Sequence, residues 1–269
     1  MRESDSPEEQ LTCKDWYDFM GHFADGIPYI HLGGFKATHD LLERCNIDRE
    51  NEILDIGCGP GTTACIIAEE YESQVVGIDF AEQMVQKAEE RAHRNGLEPK
   101  VSFQVADALL LPFEDNQFDL AIFESVLTAI EDKTSAMKEA VRVVKQGGIV
   151  AANETVFDSQ LAPEFLELLD EYPSINGHLT KDSLKALFED IGLEVLDLTV
   201  ILGSDVPSST SDLGLRRTIS FVFRSLGKIL RKMATDSRYR RVQKIDREIN
   251  RELKENGGYA LIVGRKLGF

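Results

Sequence analysis

Carboxylates recur in this chain where apolar runs end. Asp55 lies within Ile53-Leu54-Asp55-Ile56-Gly57-Cys58-Gly59-Pro60-Gly61, an apolar run that breaks into a glycine turn. Asp79 closes Gln74-Val75-Val76-Gly77-Ile78-Asp79, 22 residues after Gly57. Asp107 follows Val101 to Ala106, Glu124 ends Asp119 to Glu124, and Glu154 ends an apolar run from Gly148. An acid at a strand tip can accept ribose hydroxyls, hold a cation or remove a proton. Glycines 57, 59 and 61 tolerate positive φ and lack Cβ, so the backbone there can approach a ligand closely. The implied chemistry is the holding of a nucleotide-like ligand. Each acid also has a plainer reading, as a turn cap (Asp55), a helix cap near Ala81 (Asp79), a loop acid (Asp107) or a surface acid (Glu124, Glu154). Cys58 reads as a small buried filler.

Positioning these groups requires alternating strands and helices. Hydrophobic periodicity predicts strands near 52–57, 74–79, 101–106, 118–124, 148–154 and 193–201, with a last strand at 258–266. It predicts helices near 14–24, 35–45, 61–71, 81–95, 132–145, 161–170 and 180–191, the last stopped by Gly192. The glycine turn then joins a strand to a helix, where open α/β sheets bind nucleotides. Its pattern is D-x-G-x-G-x-G rather than G-x-G-x-x-G, which argues against a nicotinamide enzyme.

Further along come Leu109-Leu110-Leu111-Pro112-Phe113-Glu114-Asp115-Asn116-Gln117-Phe118 and Lys145-Gln146-Gly147-Gly148-Ile149-Val150. With the turn, Asp79 and Ala106-Asp107-Ala108, these stand in order over about residues 50–155. Together they resemble the class I S-adenosylmethionine-dependent methyltransferases, of the small-molecule group that includes quinone-ring, glycine/sarcosine and sterol methyltransferases. The resemblance covers residues 30–155 and is poor in the C-terminal third. It implies an α/β fold, a Rossmann-like seven-stranded mostly parallel sheet with an antiparallel last strand and helices on both faces. An N-terminal helical cap (1–46) and a helical insertion (205–255) would flank a core of 47–204 plus 256–269. The cofactor implied is S-adenosyl-L-methionine, with S-adenosyl-L-homocysteine as product. Its contacts would come from Gly33, Asp55, Gly57, Cys58, Gly59, Gly61, Asp79, Phe80, Met84, Ala106, Asp107, Ala108 and Glu124. In the family's arrangement Asp79 takes the ribose hydroxyls and Asp107 faces the adenine amino group.

Methyl transfer from a sulfonium is an in-line displacement on an already activated donor, so alignment and exclusion of water matter most. A general base is optional, and the catalytic residues stay unnamed. His31, in a His-Leu-Gly-Gly segment similar to one that folds over the cofactor, is an acceptor-side candidate, as are Glu124 and Glu154. No His, Cys, Asp or Glu grouping has metal-ligand spacing, so no metal is expected.

At 269 residues with 42% hydrophobic residues, the chain can build one α/β domain of ordinary size. Cysteines 13, 45, 58 and 65 form no C-x-x-C pair, and the N-terminus is polar and acidic. A cytoplasmic protein with free thiols is expected. Net charge is −17, yet residues 215–244 carry ten Lys/Arg and one acid, Asp236. Within them Ile219, Val222, Phe223, Leu226, Ile229, Leu230 and Met233 recur at helical spacing. Such a basic amphipathic segment serves as a lid on an acidic body, as a peripheral membrane contact or as a docking surface. We expect the lid, over a small-molecule acceptor. The alternative is a methyltransferase acting on a lipid or macromolecule docked on 215–244, and a third reading is a protein that kept the fold without the transfer. Nucleic acid is not expected as partner, because Phe123-Glu124-Ser125-Val126 replaces the N/D-P-P-Y motif of base and glutamine methylation.

Overall fold

The computed structural model describes residues 12–13, 16–17, 29, 31–158, 160–172, 174–205 and 235–268. Helix α1 (Gly34–Arg44) leads into strand β1 (Glu52–Ile56). Then follow α2 (Thr62–Glu70), β2 (Gln74–Asp79), α3 (Glu82–Asn95), β3 (Val101–Val105) and β4 (Phe118–Glu124). A short 3-10 turn at Leu127–Ala129 precedes α4 (Lys133–Val143) and β5 (Val144–Phe157). The chain continues through α5 (Pro163–Asp170), α6 (Lys181–Asp190), β6 (Leu193–Leu202), α7 (Ser237–Asn256) and β7 (Gly257–Lys266).

The seven strands form one sheet in the order β3-β2-β1-β4-β5-β7-β6. Strands β1 to β5 pair in parallel, and β7 runs antiparallel between β5 and β6. Side chains alternate across the central strands as a sheet covered on both faces requires. Leu54, Ile56, Ala121 and Phe123 enter a core with Met137 and Ala140 of α4 and Leu184 and Phe188 of α6. Ile53, Leu120 and Ile122 face the other way, against Leu41 and Leu42 of α1 and Ala64 and Ile67 of α2. Asp132 caps α4 by accepting from the Ser135 amide, and Thr180 and Ser183 form a reciprocal capping box on α6.

Two differences from the sequence reading have clear causes. Strand β5 begins at Val144 rather than 148, because Val144 pairs with Phe118 before a register shift carries Ile149 opposite Leu120. Helix α7 runs one residue past the expected insertion, to Asn256. The expected helix at 14–24 and the apolar stripe at 219–233 lie outside the described residues, apart from Trp16 and Tyr17. Among the described residues no helix is long and apolar enough to cross a membrane.

Candidate active site

A cavity of about 810 Å³ opens at the C-terminal edge of the sheet. One half is built by the glycine turn after β1, the tip of β2, the loop after β3 and the end of β4. The other is walled by the end of β5, the 172–178 segment and α7. Gly57, Gly59 and Gly61 of the turn all have positive φ, and two of them also have no room for a side chain. Gly57 has φ +71°, and a Cβ there would sit 2.4 Å from Val126 Cγ2. Gly61 (φ +73°) starts α2, and a Cβ there would meet Ala88 at 2.7 Å and Phe103 at 2.9 Å. Gly57 therefore permits close approach of the loop after β4, whereas Gly61 permits helix packing.

Asp79 braces the turn. Its Oδ2 accepts from the Gly59 amide at 3.0 Å and its Oδ1 from the Ala81 amide at 2.8 Å. It holds the turn that leads into α3, whose N-cap is Ala81 with no side-chain cap bond, and it also lines the cavity. A carboxylate has about four lone-pair sites, so two bonds leave acceptor capacity for a ligand.

Deeper in the cavity stand Asp55 and Glu124. Asp55 is 2% exposed and its Oδ2 has no hydrogen-bond partner. Glu124 is fixed by the hydroxyls of Thr63 and Thr38, the latter donating at 3.0 Å. His31 completes a hydrogen-bonded chain. Asn153 Nδ2 lies 2.9 Å from His31 Nδ1, and His31 Nε2 lies 3.1 Å from Thr38 Oγ1. His31 Nδ1 also lies 3.1 Å from the Leu32 carbonyl, and Nε2 lies 3.5 Å from Glu124 Oε1. Both ring nitrogens are thus engaged within the protein. His31 lines the cavity and stands in the polar network that holds Glu124.

The other candidate residues divide in the same way. Cys58, Gly59, Phe80, Ala106, Asp107 and Ala108 line the cavity, Asp107 at an exposed turn where its Oδ1 accepts from the Leu109 amide. Burial pushes the Cys58 thiol well up, which keeps it protonated. Gly33, Gly61 and Met84 do not line the cavity. Gly33 faces Ala37 and Tyr259, and Met84 is wholly buried beside Ala81, with Tyr17 packed against that pair.

Glu154 requires correction as an acceptor-side acid. It is 0% exposed and outside the cavity lining. Its Oε1 accepts from the amides of Val126 (2.9 Å) and Leu127 (2.8 Å), and its Oε2 from the amide and hydroxyl of Thr128 (both 3.2 Å). It is a buried clamp on the loop after β4. Sequence reasoning also missed Thr38, Thr63, Asn153, Tyr172 and Asp246. The last two come from segments where no motif flags a site, although Tyr239, Val242, Ile245, Ile249 and Leu253 on α7 recur at helical spacing.

The glycine cradle, the braced Asp79 and the unpartnered Asp55 suit a ligand with ribose hydroxyls and a cationic group. The family model described as "Methyltransferase domain" matches residues 47–194. Methyltransferase GfsG of Streptomyces halstedii is 30% identical over 206 residues, 69% of this chain and 73% of that protein. The chain belongs to the methyltransferase family. Two solved structures share its fold. The [4+2]-cyclase SpnF superposes with TM-score 0.73 at 23% identity, covering 96% of this chain and 98% of that one. Haemonchus contortus phosphoethanolamine N-methyltransferase 2, solved with phosphomonomethylethanolamine and S-adenosylhomocysteine, gives TM-score 0.72 at 20% identity, covering 96% of this chain and 61% of that one. A cyclase and a methyltransferase on one fold show that the site, not the sheet, decides the activity.

The site's electrostatics give a pH prediction for the ligand-free methyltransferase. Burial, followed by the nearby Glu124 charge, raises Asp55 to about 8, and burial raises Asp79 to about 6. The unfolded chain releases both protons near pH 4. Between those values the native state holds more protons than the unfolded state, so these groups reduce stability as pH rises. Asp55→Asn is expected to flatten that decline between about pH 5 and 8 in denaturant melts. A slope identical to wild type would mean that Asp55 ionises normally.

Proposed function

We propose that this methyltransferase moves the methyl group of S-adenosyl-L-methionine to a small-molecule acceptor held in the far half of the same cavity. The observation that carries the reading is continuity: one cleft joins the glycine turn, Asp79 and Asp55 to the chamber walled by α7. When bound, S-adenosyl-L-methionine supplies a methyl group already activated by its positively charged sulfur. The spare lone pairs of Asp79 are suited to its ribose hydroxyls. Glu124 supplies negative charge for its cationic groups, with Thr38 and Thr63 holding it in place, and Asp55, largely protonated near pH 7 in the ligand-free protein, gives up its proton when a cation stands beside Oδ2. Phe80 and Asp107 stand at the cavity edge on the side suited to adenine. Rings and apolar chains from β5 and α7, among them Phe157, Ile249 and Leu253, exclude water from the acceptor half.

The small-molecule reading is supported by the size of the cleft and by a fold neighbour solved with phosphomonomethylethanolamine. A lipid or macromolecule docked on 215–244 is not favoured. Calorimetry tests the donor half. S-adenosyl-L-methionine and S-adenosyl-L-homocysteine are expected to bind and NAD is not. Heat from NAD with no response to either adenosyl ligand would overturn the assignment.

A further inference from the structure

Charge among the described residues lining the cavity is one-sided. Six acids line it (Asp55, Asp79, Asp107, Glu124, Glu131 and Asp246), with no Lys or Arg among the described lining residues. The first four belong to the cofactor half. Asp246 stands on α7, in the wall of the acceptor half, where a methyl donor has no need of it.

The surroundings of Asp246 are aromatic. Tyr172 donates its hydroxyl to Asp246 Oδ1 at 3.2 Å, and Trp16 meets the Tyr172 ring edge-on, with centroids 5.5 Å apart. Tyr239, about two helical turns before Asp246 on α7, packs into the same cluster as Trp16 and Tyr172. All four side chains line the cavity. Asp246 Oδ2 has no hydrogen-bond partner among the described residues, and the neighbouring Arg247 is exposed to solvent. Burial raises Asp246, outweighing the opposite effects of the Tyr172 hydroxyl and of the neighbouring Arg247 charge.

We infer that Asp246, with Tyr172, Trp16 and Tyr239, forms a subsite for a cationic nitrogen on the acceptor. The inference rests on the small-molecule reading above and narrows it to amines with an apolar body. A carboxylate gives such a nitrogen its counter-charge, and aromatic faces attract the cation while covering the adjoining hydrocarbon. The same wall disfavours anionic acceptors, because nothing described in it offsets a phosphate or carboxylate. Tyr172 is a positioning residue, fixing the Asp246 rotamer through its hydroxyl.

The test uses the full-length protein loaded with S-adenosyl-L-homocysteine, whose own binding is measured first by calorimetry. The probes share one shape: N-methylphenethylamine as the cation, 2-phenylethyl methyl ether as the neutral isostere and 4-phenylbutanoate as the anion. Trp16 is the chain's only tryptophan, so its fluorescence reports occupancy directly. The amine is expected to bind roughly 10- to 100-fold more tightly than the ether, and the acid not at all. Asp246→Asn should remove the preference while leaving homocysteine-ligand affinity unchanged, and Tyr172→Phe should weaken it less. Equal binding of amine and ether, tighter binding of the acid, no binding of the amine, or a preference that survives in Asp246→Asn overturns the subsite while the methyltransferase reading stands. Failure to bind S-adenosyl-L-homocysteine in the first measurement would instead overturn that reading and the subsite with it.

Discussion

Glu154→Ala is expected to lower stability by about 3 kcal/mol or more, the largest effect of any single substitution considered for this protein. The carboxylate is enclosed between β5 and the loop after β4, where it satisfies three consecutive backbone amides and the Thr128 hydroxyl. Alanine leaves those donors buried without acceptors, at about 1–3 kcal/mol for each that water cannot reach. The consequence extends to the site, because the clamped loop carries Val126, which packs over Gly57, and Thr128, whose carbonyl accepts from the Asn176 amide at 2.7 Å. Glu154→Gln keeps one carbonyl oxygen as acceptor and should lose less. Urea melts of the three proteins check the ranking. Equal midpoints would mean that the loop holds its shape without the carboxylate.

Asp79→Ala is expected to weaken S-adenosyl-L-homocysteine binding by about 1–3 kcal/mol, roughly 5- to 150-fold. Two losses combine. The ribose hydroxyls lose their acceptor, and the Gly59 amide, now unbraced, leaves the turn free to relax away from its binding shape. Asp79→Asn separates them, since its amide oxygen can still accept from one of the two backbone amides. Calorimetry gives the affinities and a thermal melt shows whether each variant is folded. A folded Asp79→Ala protein with unchanged affinity would reduce Asp79 to a brace of the Gly59 and Ala81 amides.

The strands that carry the donor half were legible because each ends on a residue of a type that its position demands. Asp55, Gly57, Asp79 and Glu124 are set by local strand–turn geometry, and that geometry is written in contiguous sequence. Strand β5 was underestimated because Lys145-Gln146-Gly147-Gly148 reads as a turn, while pairing with β4 carries the strand through it. Glu154 was misread for a related reason. Its position at an apolar strand's end suggests a solvent-facing acid, and only the tertiary packing of the loop at 126–128 shows what its oxygens do. The acceptor half was the least legible. Tyr172 and Asp246 are 74 residues apart and meet only because α7 crosses the end of β5. No local pattern encodes such a meeting.

The place of β7 in the sheet constrains how the protein is made. This strand is the last element of the described chain, yet it lies inside the sheet, with β5 on one side and β6 on the other. Until residues 257–266 have been synthesised, β5 exposes an open edge and β6 has no partner by which to join the sheet. The parallel strands of the donor half, β1 to β5, can pair first on the ribosome, and α1 gains its full packing when Tyr259, Leu261 and Val263 arrive. The acceptor wall cannot assemble first, because α7 leads directly into the missing strand. An arrested or truncated chain would therefore present a binding half beside an unprotected strand edge, an invitation to mispairing. Completing the sheet and enclosing the acceptor chamber are accordingly one late event in the life of the nascent chain.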